Sequence, residues 1–414
     1  MMKKKYNVLT INSFFSPVGG AEVIAYNTYK ILKNNGFNSY YWATDKGQYF
    51  EKDYLYTKYF PKYISGMFDY IRNPIKYYYN YEAKNKLSAF IKEIKPDIIH
   101  VHNLYSLTSA VLECCKDIPT VMTIHDTKFI CPPATLLYKS ETVCNPILCN
   151  SKKYINCFKN RCVRNNFEAS LRHTIYATIN IREYKYVNHF ITPSDALRNL
   201  ILDANIGVKK ENITTINNFI SESVDKIENN NNQDYFLYIG RLSKEKGIQY
   251  LVEALMDLPK EIELRIVGSG SEEINLKKIV KENEMNNIKF VGYKNREEIK
   301  NEYQNCIATI LPCNWFENFP TTNMESFIHG KPVIASNIGG IPEQVEHDKT
   351  GLLFEPANIT QLKECILKYW NNRNLAKEHG KNAYKKASIH YTEARYYDEL
   401  LNIYNELLMK YAKK

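Results

Sequence analysis

Short runs of β-branched and aromatic residues alternate along this chain with longer stretches whose apolar positions recur every three to four residues. Runs at residues 6–11, 97–101, 120–124 and 189–192 predict strands, because continuous apolar runs of this length fit strands covered on both faces. Ala21, Ile24, Ala25, Tyr29 and Leu32 fall on one helical face and predict a helix over 20–34. A further helix is predicted over 74–94, opened by Pro74 and stopped before Pro96. The alternation restarts later, with strands predicted at 235–239, 263–267, 288–291, 307–311 and 333–335, and helices between them. This order of elements implies an α/β protein with parallel sheets. No period of 20–50 residues recurs, which excludes a solenoid.

Residues 221–234 interrupt the pattern. Four consecutive asparagines, 229–232, followed by Gln233 and Asp234, bury no apolar area and predict a linker or long surface loop. The 414 residues then divide into two α/β domains of about 200 residues each, the size at which a domain builds its own core.

Composition narrows the class. Apolar residues make up 44% and charged residues 24%, which excludes disordered, collagenous and fibrous readings. No run of about 18 apolar residues offers a bilayer span. The basic start, Met1 to Lys5, turns polar again too soon for a signal peptide, so a cytosolic protein is expected and its ten cysteines are expected as thiols or metal ligands. The net charge of +10 is uneven: residues 1–220 hold 29 Lys+Arg and 17 Asp+Glu, giving +12, and the remainder gives −2. The first half therefore suits an anionic partner, while Lys-rich solubility in a biased composition explains the same numbers.

Candidate chemistry gathers at strand ends. Gly19-Gly20-Ala21-Glu22 stands where the first strand turns into a helix, and glycines there let the backbone approach a phosphate. The second half opens alike, with Gly240-Arg241-Leu242-Ser243-Lys244-Glu245-Lys246-Gly247 just beyond a strand. Arg241 can fork onto two phosphate oxygens and Lys246 supplies a point charge. Glu317 and Glu325 follow, eight positions apart, the second in a helix predicted over 321–329. Gly339-Gly340-Ile341-Pro342-Glu343 repeats the pattern of strand, glycine pair and helix start.

This ordered set, with His125-Asp126, resembles the retaining glycosyltransferases of family four over residues 5–410. The resemblance implies the GT-B fold, two Rossmann-like domains whose parallel sheets face a central cleft: an acceptor-binding domain at 1–220, a donor-binding domain at 235–390, and a C-terminal helix, 391–414, packing back on the first. It further implies a nucleotide-sugar donor. His125, Glu317, Arg241 and Lys246 take the catalytic positions. Gly19, Gly20, Gly240, Asn318, Phe319, Pro320, Thr321 and Glu325 join Arg241 and Lys246 in holding the donor, with Glu317 against the sugar and Glu325 on the ribose. Pro320 replaces the family's usual glycine after Phe319. A front-face reaction with retention is implied, without a metal or other catalytic cofactor; no Asp-x-Asp motif stands near the donor region.

Two features lie outside that pattern. Cys131, Cys144, Cys149, Cys157 and Cys162 form a cysteine-rich insertion at 131–165, open to two readings: a structural zinc site, or thiols packing a loop. Residues 49–81 hold ten tyrosines interspersed with lysines, which fits an interfacial membrane segment, a single-stranded nucleic-acid surface, or a packed aromatic segment. With the transferase resemblance, the expected partners are a glycan or polyprenyl-pyrophosphate-linked acceptor and the inner face of the cell membrane, with no nucleic acid. Surface-polysaccharide assembly is the expected context. Transfer to a soluble acceptor, and a non-catalytic nucleotide-sugar or nucleic-acid binder, are the alternatives.

Overall fold

The computed structural model describes residues 5–16, 19–46, 57–63, 70–139, 142–144, 147–221 and 234–412. Its contacts divide the chain into two units: Met1–Asn218 with Glu393–Lys414, and Phe219–Thr392. The sequence-predicted linker falls, at 222–233, outside the described residues, as do Tyr49, Tyr54 and Tyr56 of the tyrosine-rich stretch.

In the first unit the strands are β1 (Asn7–Ile11), β2 (Asn38–Trp42), β3 (Ile98–Val101), β4 (Thr120–Thr123), β5 (Leu137–Tyr138), β6 (Thr142–Val143), β7 (His189–Thr192) and β8 (Ile213–Thr215). Six of them form one parallel sheet in the order β2-β1-β3-β4-β7-β8, and β5 and β6 pair as an antiparallel hairpin. β3 and β4 are buried at every position, as a parallel sheet covered on both faces requires. The edge strands β2 and β8 escape sequence reading because they are short and partly polar, so only their neighbours make them strands. The predicted helix 74–94 is two helices, Pro74–Tyr78 and Tyr81–Ile94. Asn80 makes the break: its amide Nδ2 donates to the Ser106 carbonyl (2.9 Å), its backbone N–H donates to Thr108 Oγ1 (3.0 Å), and its Oδ1 caps Ala83 N–H (3.0 Å). The C-terminal helix, Glu393–Ala412, buries Tyr396, Leu400, Ile403, Tyr404 and Leu407 along one face. Tyr396 bonds Thr28 Oγ1 at 3.0 Å and Tyr404 bonds His100 Nδ1 at 2.8 Å.

All five cysteines of the insertion line one small apolar cavity. Burial raises the thiols of Cys131 and Cys149 to about 12, so they are protonated at neutral pH. Cys162 is drawn below the ordinary thiol range because the Cys157 thiol donates to it, and Cys157 is correspondingly raised. Among the described residues no three His, Cys, Asp or Glu side chains are arranged to hold a metal ion. The five cysteines of the insertion thus come together around one cavity. The described tyrosines pack largely on each other: Tyr70, Tyr77 and Tyr78 stack edge to face at 5.2–5.9 Å, and Tyr59 lies 5.3 Å from Phe90.

The second unit adds β9 (Tyr235–Ile239), β10 (Glu263–Val267), β11 (Ile288–Gly292), β12 (Thr309–Leu311), β13 (Val333–Ser336) and β14 (Gly351–Phe354). They form a parallel sheet in the order β11-β10-β9-β12-β13-β14. Leu242, Leu251, Leu264, Ile266, Ile310 and Ile366 lie in its main core. Counted within the unit, this order is 3-2-1-4-5-6, and its direction reverses between β9 and β12. Such a switch point is where an open parallel sheet has its ligand crevice, at the carboxyl ends of the two strands.

Candidate active site

The loops that leave β9 and β12 meet at this crevice. Gly247, at φ +69°, lets the first loop lie on the second; an added Cβ there would sit 1.8 Å from the Pro312 carbonyl oxygen. Asn314 N–H donates to the Glu245 carbonyl at 3.0 Å and ties the loops together. Gly339, at φ +62°, makes a comparable close approach to the Glu317 carbonyl, which also accepts the Gly340 N–H at 2.8 Å.

These contacts bring Lys246 and Glu317, 71 positions apart, into a direct ion pair. The Trp315 indole also donates to Glu317 Oε1, at 2.8 Å, and the Lys246 ammonium lies 5.3 Å from the Trp315 ring. With side-chain exposures of 19% and 11%, the pair is largely removed from water, so its charges act more strongly than a surface pair would. Arg241 is 68% exposed and reaches Glu245 Oε1 at 3.7 Å, leaving its guanidinium accessible beside Gly240. Asn318 is buried. Phe319 packs edge-on against Tyr391, 5.6 Å away, so its ring belongs to the core. Pro320 precedes the helix Thr321–Ile328, and its carbonyl accepts from Gln344 Nε2 (3.1 Å). Glu325 sits on that helix, with one oxygen accepting from the Tyr303 hydroxyl at 2.8 Å. Trp315 and Tyr303 escape sequence reading; the signal for Trp315 was its place two residues before Glu317.

In the first unit the strand order reverses between β1 and β3, and Gly19 stands at the end of the loop after β1, with Gly20 opening the helix that follows. Gly19 caps the helix Gly20–Asn34 in an extended conformation, and both glycines are exposed. Asn103, just beyond β3, stitches this region: its N–H donates to Asn12 Oδ1 (3.0 Å), its carbonyl accepts from Ser13 Oγ (3.0 Å), and its Nδ2 donates to Glu22 Oε1 (3.0 Å). Glu22 is only 5% exposed, and burial holds its carboxyl above the ordinary 4.5 against the opposing Asn103 bond. A raised folded-state value stabilises the fold where the carboxyl is protonated, and that stability is lost as pH rises through the folded value. Glu22→Gln keeps the acceptor for Asn103 and removes the charge. It is expected to melt above the unaltered protein at pH 7, with the gap closing as pH falls below 4.5. Thermal melts at both ends of that range check this, and a gap that does not change with pH would refute it.

His125 follows β4 and lies beside His102, which follows β3. His125 Nε2 and His102 Nδ1 are 2.9 Å apart, and the rings stack at 18°. His102 stacks in turn on His100, 4.3 Å away at 24°. Burial places His125 at about 4, well below the ordinary histidine range, with Asp126 opposing the shift. The adjoining cavity is lined by Asn103, Tyr105, Asp126, Lys128 and Tyr176 as well as His125. Lys128 lies 4.4 Å from the rings of both Tyr105 and Tyr176, and burial lowers its ammonium to about 8. Sequence reading missed Lys128; its signal was its place two residues after the His125-Asp126 motif.

Comparison with known proteins places two family matches along the chain. Residues 18–224, half its length, match Glycosyltransferase Family 4, and residues 219–386 match Glycosyl transferases group 1. An uncharacterised glycosyltransferase of Methanocaldococcus jannaschii is 27% identical over 297 residues, 70% of this chain and 71% of that one. The O-antigen chain mannosyltransferase C of Escherichia coli is 25% identical over 177 residues, 42% of this chain and 47% of the other. Among solved structures, the sucrose-phosphate synthase of Thermosynechococcus elongatus superposes with a TM-score of 0.72 at 17% identity, covering 98% of this chain and 100% of that one. Anabaena HepE, solved with UDP and glucose, gives a TM-score of 0.63 at 17% identity over 97% of this chain and 99% of its own.

Proposed function

The chain belongs to the group 1 glycosyltransferases and has the GT-B fold, and from that premise we propose that it moves a sugar from a nucleotide-sugar donor to a glycan or lipid-linked acceptor, retaining anomeric configuration, in surface-polysaccharide assembly. The observation that carries this reading is the Lys246–Glu317 pair at the switch point of the second sheet, with Arg241 accessible beside it. A pyrophosphate leaving group gains negative charge as the glycosidic bond breaks, and fixed cations aimed at it lower the barrier. Arg241 forks onto two oxygens and Lys246 takes a third. Glu317, held by Lys246 and Trp315, is oriented toward the sugar hydroxyls, and Glu325 toward the ribose. The leaving phosphate takes the proton of the acceptor hydroxyl on the same face. Arg241 and Lys246 carry the charge neutralisation, so the reaction as proposed calls on no cofactor. HepE's bound UDP and the E. coli relative's O-antigen role support the donor and pathway class.

A panel of nucleotide sugars tests this. One donor should raise the melting temperature and yield product whose anomeric proton coupling matches the donor's. Inverted product would overturn retention, and no transfer from any donor would overturn the enzyme reading.

The +12 of the first half is assigned to a membrane carrying the acceptor, at the cytoplasmic face. No described helix is long and apolar enough to cross a bilayer, so contact would be peripheral. Ile71 and Ile75 are 73% and 67% exposed, with Arg72 and Lys76 beside them in sequence, and Phe167 is 56% exposed on a helix packed against Pro74–Tyr78. Apolar tips flanked by cations suit an anionic lipid surface. In a sedimentation assay with anionic vesicles, the double substitution Ile71→Asp, Ile75→Asp is expected to weaken binding by about tenfold or more, the worth of burying one such side chain. Equal pelleting of both proteins would remove this surface from the membrane contact.

A further inference from the structure

The three stacked histidines hold an inference about His125 that rests on the transferase reading only for its catalytic meaning. His102 is 1% exposed, and its Nε2 is buried with no hydrogen-bond partner among the described residues. Its Nδ1 is 2.9 Å from His125 Nε2. Burial keeps both rings neutral: His102 lies well below the ordinary histidine range and His125 at about 4. Two neutral imidazoles share one hydrogen in this bond, and it sits on one ring or the other. Were His125 the donor, the proton of His102 would sit on Nε2, a buried N–H with no acceptor among the described residues. That is the rarer and costlier kind of orphan. With His102 Nδ1–H donating, its Nε2 is left as a bare lone pair and no N–H is stranded.

We infer that His102 is a positioning residue whose Nδ1–H fixes His125 in the tautomer that carries its proton on Nδ1. His125 then carries its proton on Nδ1 and has its basic nitrogen occupied by His102. It acts as a hydrogen-bond donor and not as the base that deprotonates the acceptor. The proton of the acceptor hydroxyl is left to the leaving phosphate, as the front-face reaction requires. The stack is braced from behind: His100 Nε2 bonds Thr123 Oγ1 and its Nδ1 bonds the Tyr404 hydroxyl of the C-terminal helix, each at 2.8 Å. Those hydroxyls satisfy both nitrogens of His100 in either tautomer, which keeps the ring fixed beneath His102.

Long-range proton–nitrogen spectra of the full chain labelled at histidine test this, with His125 assigned by its loss in His125→Gln. The expected result is protonated Nδ1 and bare Nε2 on His125 at pH 7. His102→Phe keeps the stack and removes the donor, so His125 should lose its fixed tautomer, and turnover should fall by about 100-fold, the cost of misplacing a group at the reacting centre. His102→Asn restores an N–H near the Nδ1 position and should recover both the spectrum and most of the turnover. Protonated Nε2 on His125, or an unchanged tautomer in His102→Phe, overturns the inference. Absence of transfer from every donor would overturn the transferase reading and leave the tautomer result standing.

Discussion

Lys246→Ala is expected to lower kcat/KM for the nucleotide-sugar donor by about 10²- to 10³-fold, the usual cost of removing one fixed group that stabilises developing charge. The ammonium is held between Glu317 and the Trp315 ring and is 19% exposed, and in the proposed reaction that is where the charge builds. Its loss leaves Glu317 with the Trp315 indole as a donor, so the second unit should stay folded, with a modest drop in melting temperature. Lys246→Arg keeps the charge but changes its shape, and should recover only part of the rate. Steady-state kinetics with the donor varied reads the effect. Unchanged turnover in a folded Lys246→Ala protein would detach the pyrophosphate from this loop.

Glu317→Gln should cut kcat by about 100-fold while leaving the fold intact, because the amide oxygen still accepts from Trp315 and Lys246 but carries no charge. Lys246 and Glu317 touch, so the double substitution should cost less than the two single effects combined. Additive losses would mean that the ion pair does not couple the two residues in the reaction. Full activity in Glu317→Gln would remove the carboxylate from the sugar contact.

Much of the second unit was legible in sequence because buried parallel strands write themselves as continuous apolar runs; β9 and β10 coincide with the predicted spans 235–239 and 263–267. β14 was not legible. Gly351 opens a four-residue run, and it becomes a strand by pairing from Val333↔Gly351 to Ser336↔Phe354. The helix broken at Asn80 shows the same limit, since its apolar spacing continues through the break and only bonds to Ser106 and Thr108 end it. Among site residues, motif spacing marked Arg241, Lys246, Glu317 and Glu325, while Phe319, in the same motif, belongs to the core. Glu22 stood in a quoted motif, but nothing local showed that Asn103 would hold it in a buried position.

By itself the sequence determined the alternation of strands and helices, the two-domain α/β class, the concentration of positive charge in the first half, and the strand ends at which the glycine-rich and basic motifs emerge. These are local properties: side-chain periodicity, turn chemistry and charge are held within a window of a few residues. Only the tertiary structure decided which strands lie side by side. That order created the switch point between β9 and β12, and with it the pairing of Lys246 with Glu317 across 71 positions. It also stacked His100, His102 and His125 from two strands over Tyr404 of the last helix, and gathered five cysteines around one cavity. Each of those contacts joins groups distant in sequence, whose meeting depends on sheet order and burial that no local window contains.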